Sequence, residues 1–176
     1  GKWYTIRMIF KRQAAVFFSK YGWIVATCIL LLAATTMCAI FQSVPSFPDP
    51  DSFYHAKMAQ LIRSDGIVKT FPWLQVSVIR DHYIDQHFLY HVFLVPFDMA
   101  LGPLWGAKFA NVVLTSLLIM TFYFLLRRYR VRFAFVYASI LLVTMPFMFR
   151  VNLVKAPAFS ILFLLVGLHL IFQYRY

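Results

Sequence analysis

The sequence predicts an all-α integral membrane protein, with about four transmembrane helices and one large external loop that holds juxtamembrane, interfacial helices. Three observations carry that expectation. The 176 residues are 62% hydrophobic and only 13% charged, where a soluble domain carries about a quarter charged residues. The apolar residues fall in long runs, several of them near the roughly 20 residues that a bilayer core requires. The net charge of +11 gathers at the ends of those runs, as the flanks of membrane spans do under the positive-inside rule. A nucleic-acid binder would instead present a basic face in water, so no nucleic-acid partner is expected.

Taken in order, residues 1–20 form a basic segment, with Lys2, Arg7, Lys11, Arg12 and Lys20 set among Trp3, Tyr4, Ile9 and Phe17. It reads either as an interfacial helix lying on the membrane or as a cytoplasmic extension of the first span. Residues 21–41 are uncharged and long enough to cross, and the run starts too late and is too long for a removable signal peptide. Its two cysteines, Cys28 and Cys38, would lie about 15 Å apart along a helix, too far for a disulfide. Further spans are expected at 109–126, 133–149 and 157–174. A cytoplasmic N-terminus then places Arg127, Arg128, Arg130 and Arg132, in the loop 127–132, on the cytoplasmic side, and the loop 150–156 outside. Four spans accommodate every basic cluster except Arg150 and Lys155. The apolar stretch 87–101 is short for a span and carries His91, Pro96 and Asp98. It is expected as an interfacial or re-entrant helix on the outer side; counting it as a fifth span would put the arginine cluster outside.

The loop 42–108 opens on Pro45, Pro48 and Pro50, which stop the first helix. A helix over 52–63 follows, capped by Asp49, Asp51 or Ser52 and ended at Asp65-Gly66. The stretch 67–80, rich in β-branched residues and holding Pro72, is expected to be extended over the membrane surface.

All six carboxylates lie in this loop: Asp49, Asp51, Asp65, Asp81, Asp85 and Asp98. His55, His82, His87 and His91, four of the five histidines, join them. Asp49 and Asp51 flank a proline, and such a pair can offer hard oxygen ligands to Mg²⁺ or Mn²⁺, ions that keep some waters and accept phosphate oxygens. The alternative is that they cap the helix. His55 follows Asp51 by four residues, on the same helix face. In the second cluster, from Asp81 to His91, His87 and His91 have the helical spacing of a zinc pair. The Glu that a His-Glu-x-x-His protease supplies is absent. Asp85 and His87 are the candidate ligands here, against the alternative that these polar groups anchor an interfacial helix.

The layout, and Asp51-Ser52-Phe53-Tyr54-His55-Ala56-Lys57 with Asp49 before it, resemble the GT-C superfamily of membrane glycosyltransferases. They are most similar to the catalytic subunits of oligosaccharyltransferases, whose first external loop carries an acid-x-Asp motif followed by aromatics, His or Asn, and a basic residue. The resemblance implies a GT-C-like N-terminal half in which Asp51 is the catalytic, metal-binding aspartate and Asp49 an accessory. Lys57 stands where the family usually has Arg, and 87–101 corresponds to the apolar juxtamembrane helix. The implied activity is transfer of a sugar from a polyprenyl-phosphate-linked donor, at the membrane lipid boundary, to a peptide, glycan or lipid acceptor. Lys57, Arg80 and Arg150 are candidates for holding the phosphate. The family's second acidic motif has no counterpart in 150–155, which points to an N-terminal piece or to machinery shared with further membrane subunits. Two other readings compete: a non-enzymatic subunit whose loop docks a partner, and a metal-dependent hydrolase built on His87 and His91.

Overall fold

The computed structural model describes the backbone of residues 2–175 and the side chains of residues 21–174. It is all-helical among those residues: α1 (Lys2–Gln42), α2 (Pro50–Asp65), α3 (Phe88–Arg128), α4 (Ala134–Val143), α5 (Met145–Asn152) and α6 (Ala156–Arg175), with a short 3-10 turn at Val78–Arg80. Three stretches are long and apolar enough to cross a membrane, namely Tyr21–Gln42, Phe88–Arg128 and Ala156–Tyr174, and the bent pair α4–α5 makes a fourth if it counts as one span.

Both readings of residues 1–20 concern side chains that lie outside the described ones. The backbone of α1 runs through them unbroken into the apolar run. Its buried positions Leu30, Ala34, Cys38 and Gln42 recur every four residues, the spacing of one helix face. Two of the four are small, so α1 can lie close against α3, as membrane helices without a hydrophobic drive between them tend to do.

α3 is the centre of the bundle and touches α1, α2, α4, α5 and α6. The short helix expected at 87–101 and the span expected at 109–126 both belong to it, yet it is not one straight rod. Gly102 has φ +77° and ψ 172°, a conformation that side chains disfavour, and Pro103 restarts the helix in the position where its missing N–H costs nothing. The chain folds so tightly here that a Cβ on Gly106 would sit 2.3 Å from the Phe97 carbonyl oxygen. An arm of 88–101 and a longer arm of 103–128 are thereby set at an angle.

The single span expected at 133–149 is broken. α4 and α5 meet at 73° around Thr144, because Pro146 cannot donate to the turn before it and its ring would strike the carbonyl four residues back. The stretch 67–80 is not a strand; it makes turns, tied across its base by Phe71 N–H to Arg80 O (2.8 Å) and Tyr83 N–H to Lys69 O (2.9 Å).

The helices share two polar ends. At one, the Arg127 guanidinium lies over the Trp23 ring at 4.9 Å, and Tyr129 bonds His169 near the end of α6 at 2.9 Å. At the other, the last carbonyls of α1 and α5 meet side chains of α3, which fills the vacancies every helix C-terminus leaves. The Lys108 ammonium, 2% exposed, donates to the carbonyls of Gln42 and Val44 and lies 5.1 Å from the Trp105 ring. Asn111 and Thr115 donate to Val151 O at 3.2 and 3.0 Å, and Gln42 donates to Asn152 O. This second end carries the acid and histidine clusters.

Candidate functional site

Helix α2 covers the expected 52–63 and extends it by two residues at each end, to Pro50–Asp65. Pro50 occupies the first turn and Asp49 the N-cap position, without a side-chain cap bond to the backbone. Asp49 is instead turned to other partners: Ser52 Oγ donates to its Oδ1, and Lys155, in the connection between α5 and α6, reaches its Oδ2 at 2.5 Å. The same ammonium lies 2.8 Å from Asp51 Oδ2. The acid pair of one segment and the lysine of another, 104 residues on, thus form one three-membered charge cluster. Burial pushes the Asp49 carboxyl up, but the hydrogen bonds from Lys155 and Ser52 outweigh it and the net shift is downward. Lys155 is shifted upward by its bonds to Asp49 and Asp51. Asp51 remains mostly open to water, its side chain 68% exposed.

One turn further along α2, His55 points into the contact with α3. Its Nδ1 lies 2.7 Å from His91 Nε2, and His91 Nδ1 lies 2.6 Å from Asp85 Oδ2. The second oxygen of Asp85 accepts the backbone N–H of His87 at 2.9 Å. A continuous line therefore runs from Asp85 through His91 to His55, through groups that are almost wholly buried: His91 0%, His55 5% and the Asp85 side chain 5% exposed. Burial, and then the neighbouring His91 and His87, hold the His55 imidazole down at about 4. Beside the line, Tyr54 and Tyr83 share a short hydroxyl–hydroxyl bond, and burial pushes the Tyr83 phenol up.

The candidate residues are therefore only partly assembled. Asp49, Asp51, His55, Asp85 and His91 come together in two adjoining clusters. His87 caps α3 through its backbone, with its ring 5.4 Å from that of His55 and exposed to water. Asp85 accepts on both oxygens, from the His87 backbone N–H and from His91, and so orients the His91 ring. Among the described residues, no three His, Cys, Asp or Glu side chains converge on a common point. Arg80 sits beside Asp81 at 3.8 Å on the open turn, His82 is exposed next to it, and Arg150 lies exposed on α5. Lys57 bonds Gln60 at 2.9 Å and borders a cavity of about 500 Å³ walled by Phe53, Tyr54, Phe71 and Trp73.

Two residues named in the sequence gain partners that it does not signal. Lys155 stood out only as an exception to the charge rule, and nothing local to it signals the acid pair it meets. Asp98, buried in α3, pairs with Arg63 of α2 at 3.1 Å, pinning the two helices that carry the histidines. Between the start of α3 and α6 lies a groove of about 440 Å³, lined by Leu89, Phe159, Ser160 and Phe163 with Asp85 and His87 at its polar part. No protein-family model, curated protein or solved structure matches the chain.

Proposed function

We propose that the chain carries the acidic part of a GT-C-type membrane glycosyltransferase site, acting on a polyprenyl-phosphate-type lipid donor at the non-cytoplasmic face. The observation that carries this reading is the meeting of Asp49 and Asp51 on a single cation, the Lys155 ammonium, at the end of apolar helices. Two carboxylates sharing one positive charge form a donor set of hard oxygens, and that chemistry suits Mg²⁺ or Mn²⁺ completed by water and phosphate oxygens. The residues fit such an ion, with Asp51 and Asp49 as its holders; when bound, it supplies positive charge opposite a departing phosphate.

The chain's own groups do the rest. A lipid-linked sugar has its phosphate at the boundary between water and acyl chains, which is where Asp51, open to water, meets helices whose outward faces are apolar. The groove along Leu89, Phe159 and Phe163 suits an isoprenoid chain better than a water-soluble substrate. Lys155 is placed to turn from the carboxylates to the phosphate as negative charge develops there, the electrostatic role that most lowers a barrier of this kind. Arg150, two residues before the end of α5, is a second cation near in sequence to that connection. The arginines of the opposite end support this orientation, because the positive-inside rule favours a cytoplasmic side for them and hence the other side for the acidic end.

The test is transfer from polyprenyl-phosphate-linked sugars by the protein in lipid nanodiscs, with Mg²⁺ or Mn²⁺ added. Asp51→Asn is expected to lower the rate about 100-fold or more, the scale of losing one preorganised electrostatic group. Unchanged metal-dependent transfer in that variant would overturn the role of Asp51.

A further inference from the structure

The buried line of Asp85, His91 and His55 is more specific than a packing contact requires, because hydrogen-bond chemistry dictates where each proton sits. Asp85 accepts on both oxygens, from the His87 amide and from His91, as an ionised carboxylate does. His91 therefore donates through Nδ1. A neutral His91 then has a bare Nε2, which must accept from His55 Nδ1 across 2.7 Å. That leaves His55 with a bare Nε2, the imidazole nitrogen of the line that accepts from neither of its two links.

We propose that this line is a proton relay, with His55 Nε2 as the base that takes the proton from an acceptor hydroxyl in the sugar transfer. The proposal rests on the glycosyltransferase reading above and adds its acceptor class. The acceptor O–H bond breaks and a bond from His55 Nε2 to that hydrogen forms. The Nδ1 proton of His55 passes to His91 Nε2, and the acceptor oxygen bonds the sugar carbon as the donor's phosphate leaves with its electron pair. One proton has entered the relay, and neither ring has had to turn. His55 is neutral before and after. The positive charge rests on His91, 2.6 Å from the Asp85 carboxylate, the place in this cluster where a buried imidazolium is best compensated.

The surroundings support that division of labour. His55 faces Asp51 and Tyr54 on its own helix, Tyr90 and His91 on α3, His87 at the N-cap of α3, and the Lys155 charge from the α5–α6 connection. Burial and two neighbouring imidazoles make a charge on His55 itself unfavourable, which a relay avoids by passing it on. His91 has no exposed surface, so its protons reach the surroundings through its two partners, His55 and Asp85. Asp51 lies one turn before His55 on α2, and its charge acts on the His55 ring. Here His55 is the catalytic base, and His91 and Asp85 are positioning residues.

The decisive measurement needs no substrate. ¹⁵N-histidine NMR of the protein in nanodiscs, with single His→Gln variants for assignment, reports the protonation of each ring nitrogen. At neutral pH His55 is expected to carry its proton on Nδ1 alone. On acidification His55 switches to the Nε2–H tautomer at the same pH at which His91 becomes doubly protonated. Asp85→Asn is expected to lower that pH by about one unit or more, a tenfold loss of proton affinity, and Asp85→Glu to restore it. A simple pin between α2 and α3 predicts no coupled switch. Independent titration of the two rings, or an Nε2-protonated His55 at neutral pH, overturns the proposal, and so does an unshifted transition in Asp85→Asn. A second arm follows turnover of polyprenyl-diphosphate N-acetylglucosamine with water as the hydroxyl acceptor. His55→Gln is expected to slow it at least 100-fold, within the usual range for a general base. Wild-type rates in that variant overturn the relay's role in transfer. A coupled switch in a wild-type protein that turns over no lipid-linked sugar sinks the glycosyltransferase reading instead, leaving the relay as a proton device.

Discussion

His55 shows how much a residue's neighbours decide. On α2 alone it is an ordinary helical histidine one turn from an aspartate; against α3 it becomes a buried imidazole held at about 4. The sign of its contribution to stability follows. Between roughly 4 and the ordinary value near 6.5, the unfolded chain binds a proton at this position that the folded chain refuses, so stability rises with pH across that window. The full contribution is present above pH 6.5 and is lost as the pH falls toward 4. A shift of this size is worth up to about 3 kcal/mol, less whatever the relay recovers by placing the proton on His91. The contact between α2 and α3 is expected to loosen on acidification from pH 7 to 4.5, seen as faster amide exchange in α2. His55→Phe, which has no proton to refuse, should flatten that dependence. Asp85, thirty positions away, is linked to this histidine through His91, and only the fold shows that link.

Among the elements, α3 concentrates the consequences. Its break at Gly102 gives the arm 88–101 a direction of its own, so His91 and Asp98 meet α2 while Lys108, Asn111 and Thr115 meet the ends of α1 and α5. Gly106 makes the bend possible by letting the Phe97 carbonyl approach to where a Cβ would stand. Gly106→Ala is expected to cost about 1–3 kcal/mol, the range for forcing an extra carbon into a packed contact, and to widen the angle between the arms. A lower thermal midpoint, together with weakened coupling between His55 and His91, would register both effects; an unchanged midpoint would mean the two arms separate freely. The prolines and glycines in the sequence mark this site as a boundary. Their letters do not say that the two arms fold back closely enough to exclude a methyl group.

Among the described side chains, the carboxylates all lie at one end with four of the histidines, the Arg127–Arg132 cluster lies at the other, and outward apolar faces lie between. Leu32, Ile40, Phe163, Leu164 and Leu170 are all more than half exposed, which water would penalise and acyl chains would not. The proposed orientation has a direct check in intact vesicles. Single cysteines placed at Ser64 and Arg130, in a background lacking Cys28 and Cys38, are expected to react with a membrane-impermeant reagent from opposite sides. Labelling of both from one side would refute the sidedness.

The chain's hydropathy and the positions of its basic residues determine on their own that it is helical and suited to a membrane. Both follow from local terms, the length of an apolar run and the cost of charge in hydrocarbon. They also pick out the acid and histidine spacings, since residues four apart on a helix share a face whatever surrounds them. Tertiary structure decides what those residues do. Lys155 joins Asp49 and Asp51, Asp85 pairs with His91, and Pro146 bends an expected span into α4 and α5. Each of these depends on contacts between segments far apart in sequence, where a difference of an ångström separates a hydrogen bond from none, and no local pattern encodes that distance.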